Sequence, residues 1–426
     1  MKMRYWCRKM IDVTLILAII VLVYVSETFA QEQWKELNMI HYLSETQKLE
    51  GLYEMIAGFQ EEYPGIEVNV EFASIENYEE ILKLRIATGD APDIIFGGVK
   101  AYSDLIVSGN IEDLTDKDFV ERICPDVMKD VMVHEKIYGI ALSRLANAVF
   151  YNKDIFRELN LDVPVTYREF IDTCERLEDA GYIACAAGYQ DGISVGANFY
   201  TIFYGTPYLQ CEDYVYELET GLKKAEEYPS LLKSLSQWRE IMQHQNANQR
   251  VVNTDTAEQI FAAGEAGMLI IGTWGLGAVL GYNPQGNYGA FIFPSENQKE
   301  KNTIPTAAGD TWMVVKDAPN YHEAMAFCEY MTRPEVNAAW SGTVQEIGAV
   351  SKAETASLPQ AIREIKEFLQ EGKVSCYSAR DTFSGEYFSA WGSTLLEFAL
   401  TPDMTEEQFC EELNRRFAVI REGSMG

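Results

Sequence analysis

Basic residues are scarce in this chain of 426 residues, where 35 Lys and Arg stand against 65 Asp and Glu, a formal net charge of -30. A general nucleic-acid binder needs basic surface to neutralise phosphate, and contact with anionic lipid head groups needs it too. Both kinds of partner are therefore disfavoured. The hydrophobic share of 47% excludes a disordered chain. The length suits two or three domains, and a sugar, a neutral or cationic solute, or another protein stays open as the partner.

Patterns typical of metal sites and disulfide frameworks are also lacking. The four His residues are isolated, without ligand spacing to a Cys or to a second His, so neither zinc nor any other cofactor is predicted. No two Cys residues form a C-x-x-C pair, and the seven that follow Cys7 are scattered and odd in number. We interpret Cys174 and Cys328 as free thiols on apolar helix faces, where Cys acts as a small hydrophobe.

Long apolar runs are confined to the N-terminus. Four basic residues among the first nine precede an uncharged run at 13–25, and residues 28–30 (TFA) resemble a small-residue cleavage site. This is the layout of a secretory signal peptide. The run is shorter than the roughly 20 residues of a membrane span. Extended from Met10 to Phe29 it would serve as an uncleaved anchor, although Asp12 and Glu27 oppose that. We therefore predict that residues 1–30 are a signal peptide or an N-terminal membrane anchor.

Strand and helix patterns alternate after this leader. Apolar residues at three- and four-residue steps predict a helix over 49–59, and alternation predicts a strand over 66–72. A second helix and a buried strand at 93–96 follow. Thr166 and Glu169 fit a capping box at the start of a later helix. This alternation is typical of an α/β fold.

Four blocks of sequence then resemble one family. They include FQEEYPGI at 59–66 with YEEILKLRIATGDAPD at 78–93, IYGI at 137–140 with AVFYNKDIF at 148–156, and FAAGEAGMLIIGTW at 261–274. The fourth block spans 293–331. In this order and spacing, the blocks resemble the extracellular solute-binding proteins of bacterial ABC sugar importers, of the maltose- and multiple-sugar-binding type. The resemblance runs from about residue 37 to 350.

The resemblance implies a two-lobed, periplasmic-binding-protein-like α/β fold with hinge strands and a central ligand cleft. Lobe one would hold residues 34–143 plus 308–348, and lobe two 144–307 plus 349–426. The chain would cross between them near 143–147, 306–310 and 347–351. The implied function is to capture a sugar or oligosaccharide outside the cytoplasm by lobe closure and deliver it to an ABC transporter. The expected partners are a carbohydrate and the transporter's permease subunits, with the protein itself a monomer.

Sugars present flat apolar faces and rings of hydroxyl groups, so a site for them needs aromatic rings with carboxylates, amides or Arg. Trp274 is the leading candidate for stacking, because in the resembling proteins an aromatic residue at this place packs on sugar; core packing is its alternative. Asp310 and Trp312 lie at a predicted crossing where the family is commonly small and Gly-rich. The other candidates are Tyr42, Ser44, Glu45, Gly97, Gly98, Arg144, Asn147, Asn198, Phe199, Tyr200 and Glu346. For Arg144 a salt bridge is the alternative, for the two glycines a plain turn.

Enzymatic patterns are weak. Gly192–Gly196 matches the G-x-S-x-G nucleophile elbow, but that motif needs a strand directly before it, and no oxyanion segment of the HGGG type is present. The glycines at 275, 277 and 281 miss the G-x-G-x-x-G spacing by one residue. We therefore predict a protein without catalysis. A membrane-anchored sugar sensor and a secreted hydrolase are the alternative functions.

Overall fold

The computed structural model describes residues 35–190, 192–205, 211–355, 357–376, 383 and 385–424. The predicted leader at 1–30 lies outside these residues. In the described part of the chain, no helix is both long enough and apolar enough to cross a membrane.

Twelve strands occur in the described residues, most of them in one mixed sheet. The strands are β1 (Lys35–His41), β2 (Ile66–Phe72), β3 (Ile94–Phe96), β4 (Met132–Val133), β5 (Lys136–Ile137), β6 (Ile140–Asn152), β7 (Ile183–Ala186), β8 (Ala266–Gly272), β9 (Tyr288–Phe291), β10 (Ile304–Val314), β11 (Ile347–Gly348) and β12 (Val374–Cys376). The sheet order is β2-β1-β3-β10-β6-β8-β7, with β9 and β11 also pairing with β6 and β12 with β10. β4 and β5 form a separate hairpin.

Sixteen α-helices occur in the described residues. They are α1 (Thr46–Glu62), α2 (Ile75–Thr88), α3 (Ser103–Val107), α4 (Pro125–Met128), α5 (Lys153–Glu158), α6 (Tyr167–Asp179), α7 (Ile193–Tyr204), α8 (Cys211–Thr220), α9 (Pro229–Ile241), α10 (Thr254–Ala262), α11 (Thr273–Tyr282), α12 (Tyr321–Met331), α13 (Pro334–Val344), α14 (Gln360–Gln370), α15 (Gly385–Leu400) and α16 (Glu406–Ser424). The predicted capping box is confirmed at the start of α6, where Thr166 and Glu169 bond each other's backbone amides.

The hydrophobic core is divided. One cluster of buried side chains comes from residues 37–142 and 312–349. Two further clusters come from residues 146–304 and 358–417, together with Ile347 of β11. We call the part of the chain around the first cluster lobe one and the part around the other two lobe two. Cys328 is buried in lobe one and Cys174 in lobe two, both as free thiols, as predicted.

Two long strands pass from one lobe to the other. β6 has 13 residues and, at about 3.3 Å per residue, extends roughly 40 Å. It contributes Leu142 to the core of lobe one and Ala148 to that of lobe two. β10 pairs antiparallel with β6, Gly309 facing Ser143, and β11 lies on the other side of the same segment. Three crossing segments therefore lie side by side, the arrangement expected of a hinge.

Candidate functional site

A cavity of about 630 Å³ lies between the lobes and is lined by residues of both. Its volume falls within the range of small-molecule sites. The loop after β1, the end of β3, the start of α7, the start of α11 and the crossing strands all contribute to its walls. The cavity therefore lies where relative movement of the lobes would open or close it.

Aromatic side chains line the cavity on both sides. On the lobe-one side Tyr42 packs edge-on against Phe96, their ring centroids 4.8 Å apart, and Phe72 at the end of β2 is 57% exposed. On the lobe-two side the lining aromatics are Trp274 and Tyr200, with Phe388 from α15. Exposed aromatic rings on facing walls can stack on the flat faces of a pyranose.

Trp274 is the second residue of α11, directly after the fully buried strand β8. Its indole is partly buried and lies over the backbone of Gly272. A Cβ atom on Gly272 would lie 2.2 Å from Nε1 of Trp274 and 2.9 Å from Oδ1 of Asn147. The close approach therefore requires glycine at the end of β8.

We expect Gly272→Ala to weaken ligand binding by displacing the Trp274 indole, since a 2.2 Å contact cannot be kept. Gly65→Ala is the control, because a Cβ atom there would have no heavy atom within 4 Å and the residue does not line the cavity. Calorimetric titration of both variants checks this. Unchanged affinity in Gly272→Ala would contradict the positioning role.

Four polar side chains meet at the base of the cavity, where the crossing strands pass. Nζ of Lys48 lies 2.7 Å from Oδ1 of Asp310 and 3.2 Å from Oε1 of Glu346. The hydroxyl of Ser143 donates to the other carboxylate oxygen of Asp310. All four residues are at least nine-tenths buried. This hinge cluster, as we call it, links α1 to all three crossing segments.

Asp310 adopts an unusual backbone conformation within β10. Its φ is +43°, in the left-handed region that most residues avoid but Asp and Asn tolerate. Its neighbours keep regular pairing, with Gly309 opposite Ser143 and Thr311 opposite Ala141. Strained conformations persist where the surroundings hold them, often at ligand sites. The carboxylate contacts of Asp310 are such a constraint.

Burial and charge oppose each other in the hinge cluster. Burial alone would lower the pKa of Lys48, but attraction by Asp310, Glu346 and Glu45 outweighs it and raises that pKa above its ordinary value. Burial raises the pKa of Glu346 to about 8, against the attraction of Lys48, and the negative charge of Asp310 adds to the increase. Glu346 is therefore the group of the cluster that takes up a proton near neutral pH.

We expect Glu346 to make stability depend on pH. Since its folded pKa of about 8 exceeds the unfolded value of 4.5, the native state holds an extra proton between these values, so the free energy of unfolding falls as pH rises through that window. Urea unfolding at pH 5, 6, 7 and 8 should show a steeper decline for the wild type than for Glu346→Gln, by an amount on the order of a few kcal/mol. Parallel curves would contradict the assignment.

Nine predicted site residues line the cavity. They are Tyr42, Ser44, Glu45, Gly97, Gly98, Tyr200, Trp274, Asp310 and Glu346. At Gly97 the backbone has a φ of +140°, and a Cβ atom would lie 2.5 Å from the Tyr102 ring. Only glycine fits there, so this position serves close packing at the cavity wall.

Three predicted residues of the crossing strands lie outside the cavity. Trp312 is fully buried in lobe one, behind Phe96, with ring centroids 4.9 Å apart. Arg144 follows Ser143 in β6, and strand alternation directs it to the opposite face; there it lies close enough to Cys124 to interact electrostatically. Asn147 is buried and donates to the carbonyl of Ala197. The contacts of these three residues in the structure are structural, and their predicted ligand contact stays a prediction.

Two predicted residues of α7 are also buried away from the cavity. Asn198 donates to the carbonyl of Ile270 and so holds α7 against β8. Phe199 stacks on Phe203 with centroids 5.2 Å apart. Trp391 of α15 is fully buried in the same core.

Several cavity residues were not identified from the sequence. They include Lys48, Phe72, Phe96, Ile193 and Phe388. Phe72 and Phe96 are the last residues of apolar strands, a pattern typical of core residues. Lys48 has the pattern of a solvent-exposed position on a helix. The position of Phe72 at the carboxyl end of a strand beside β1 was the one available signal.

The G-x-S-x-G motif has a structural setting. Gly192 caps α7 with a φ of +71°, and Ser194 in the first turn is 1% exposed. The Ser194 hydroxyl lies 3.1 Å from that of Thr254, the first residue of α10. This contact holds two helix starts together. Among the described residues no group of three or more His, Cys, Asp or Glu side chains is placed to hold a metal ion.

Known proteins resemble this chain in sequence and in fold. The multiple sugar-binding protein of Streptococcus mutans is 25% identical over 313 residues, covering 69% of this chain and 70% of its own. A RafE solute-binding protein solved with raffinose matches with a TM-score of 0.77 at 22% identity, over 91% of this chain and 99% of its own. A chitin oligosaccharide binding protein matches with a TM-score of 0.76 at 20% identity, over the same shares. These neighbours confirm the two-lobed α/β fold.

The family profile of the bacterial extracellular solute-binding proteins matches residues 44–338. This match includes the crossing strands β6 and β10 and covers more than half of the chain. The protein therefore belongs to the bacterial extracellular solute-binding protein family.

Proposed function

We propose that the protein binds a carbohydrate in the cavity between its lobes and delivers it to the membrane subunits of an ABC importer. One observation carries this proposal: aromatic rings from both lobes line the same cavity, with Asp310 and Glu346 at its base. Rings that stack on sugar faces, beside groups that bond hydroxyls, are what a carbohydrate site needs.

Lobe closure follows from the same geometry. A ligand that contacts both lobes stabilises the closed state by its differential affinity for that state. The lobes already touch beside the cavity, where Nε2 of Gln47 in α1 donates to the carbonyl of Gly277 in α11 at 2.8 Å. A ligand held between Tyr42 and Trp274 would add to this contact, and the importer would read the closed shape.

The printed names of relatives support a sugar as the solute. Besides the multiple sugar-binding protein, a galactooligosaccharide-binding protein of Bacillus subtilis is 25% identical over 142 residues, covering 32% of this chain and 33% of its own. The family is extracellular by description, and we propose that residues 1–30 direct export. The proposed role is binding without catalysis, since Ser194 of the hydrolase-like motif is buried against Thr254.

A thermal-shift screen tests the proposal. We expect at least one of raffinose, stachyose, galactooligosaccharides and chitin oligosaccharides to raise the melting temperature, since a ligand at 100 times its Kd adds about 2.7 kcal/mol to the free energy of unfolding. Free amino acids serve as the non-carbohydrate control. A shift with amino acids and none with any saccharide would overturn the proposal.

A further inference from the structure

The described residues that line the cavity carry more carboxyl groups than ammonium groups. Of the described residues that line it, Glu45, Asp310 and Glu346 carry carboxyl groups and Lys48 carries the one ammonium group. Lys48 is 8% exposed, and its ammonium lies 2.7 Å and 3.2 Å from the two buried carboxylates. Its positive charge is therefore compensated before any ligand enters.

The nearby Arg144 does not alter this balance. It lies one residue beyond Ser143 in β6, so its side chain leaves the opposite face of the strand, and it is not among the residues that line the cavity. The titratable groups around Glu346 are Lys48 of α1 and Asp310 of β10, with the Ser143 hydroxyl of β6 beside them. The net charge of the lining residues stays negative whether Glu346 is ionised or protonated.

We propose, building on the carbohydrate-binding function above, that the hinge cluster and Glu45 make the cavity selective for neutral saccharides and exclude those that carry carboxylate, sulfate or phosphate groups. Such a ligand would bring further negative charge close to the buried carboxylates of Asp310 and Glu346, and charges near buried groups interact more strongly than in bulk solvent. The described lining offers no uncompensated cation to offset that repulsion.

The backbone of Asp310 supports this assignment independently. A carboxylate here is held at a φ of +43°, a conformation that glycine would adopt without steric strain. A residue kept in a disfavoured conformation at a ligand cavity calls for a role for its side chain. The contacts indicate that Asp310 fixes negative charge at the base of the cavity and pairs with Lys48.

Matched ligands test the proposal by calorimetry. Raffinose, stachyose, galactobiose and chitobiose are each titrated beside the form whose primary hydroxyls are oxidised to carboxylates. We expect the best neutral binder to bind at least about tenfold more tightly than its oxidised counterpart at 50 mM salt, and the ratio to shrink as salt screens the charges. An oxidised form that binds as tightly overturns charge selectivity while the carbohydrate function stands. Binding of no form at all overturns the carbohydrate function and this inference with it.

Variants separate charge from size. Asp310→Asn combined with Glu346→Gln keeps the shapes of the side chains but removes the negative charges that compensate the Lys48 ammonium. The ratio of the affinity for the neutral saccharide to that for its oxidised form should therefore fall several-fold or reverse. Glu45→Gln, at a partly exposed position, should shrink the ratio without touching the buried pair, and it covers the case in which the double variant does not fold. Glu335→Gln, at an exposed position of α13, is the control and should leave this affinity ratio unchanged. A ratio that is the same in all folded variants means that size excludes the oxidised sugars, and overturns the proposal.

Discussion

Trp274→Ala is expected to weaken saccharide binding by about 30- to 150-fold, the equivalent of 2–3 kcal/mol. The indole faces the cavity from the first turn of α11, and a stacked sugar ring would bury much of its exposed face. Removing it leaves the apolar face of the sugar in water. Trp274→Phe, which keeps a smaller aromatic face, should lose less. Calorimetric titration with the saccharide that gives the largest thermal shift measures both effects.

A buried tryptophan of the same lobe provides the control. Trp238 is fully buried in the core of lobe two, stacked on Phe398 and donating to the Tyr189 hydroxyl. Trp238→Phe should lower the free energy of unfolding and leave the affinity of the folded protein within about twofold, because it does not line the cavity. Affinity retained in Trp274→Ala but lost in Trp238→Phe would reverse our assignment of the two residues.

The second large effect is on stability. Lys48→Met should lower the free energy of unfolding by about 3–5 kcal/mol at pH 8, since it leaves the buried carboxylates of Asp310 and Glu346 without their counter-charge. The deficit should shrink at pH 5. Without Lys48 the raised pKa of Glu346 would rise further, so its protonation at pH 5 removes one of the unpaired charges. Urea unfolding at the two pH values measures this.

Neutralising the carboxyl groups should rescue the variant. Adding Asp310→Asn and Glu346→Gln to Lys48→Met removes both unpaired charges and should recover most of the lost stability, as expected when charged partners are removed together. Lys83→Met is the matched control, because Lys83 is paired with Glu79 and Asp104 at the surface with its side chain 45% exposed. Its loss should stay below about 1 kcal/mol. Equal losses in the two variants would contradict the importance of the hinge cluster.

Local patterns predicted the architecture well, because they reflect short-range physics. Apolar spacing marked α1 through Leu52, Ile56 and Phe59, all buried, and the capping box placed the start of α6. The order of elements then restricted the fold to an α/β class, and the resemblance supplied the two lobes. The lobe bounds themselves stay a prediction, although the two sets of core residues divide near them.

The sequence alone could not predict that the residues of the hinge cluster come together. Asp310 and Glu346 were candidates, but Lys48 is separated from Asp310 by 262 positions, and no local pattern pairs them. Trp312 shows the converse problem. Strand alternation puts it on the same face as Asp310, yet the left-handed backbone of Asp310 interrupts the regular extended geometry there, and the indole packs into lobe one. Burial of a particular side chain depends on such long-range packing.

The central claim is that one saccharide contacts both lobes, and titrating it against Tyr42→Ala and Trp274→Ala tests this most directly. The two residues line the cavity from lobe one and lobe two. Our account predicts that each variant loses at least about tenfold in affinity, measured by calorimetry with the best saccharide of the screen. Full affinity in either variant would contradict a ligand held between the lobes.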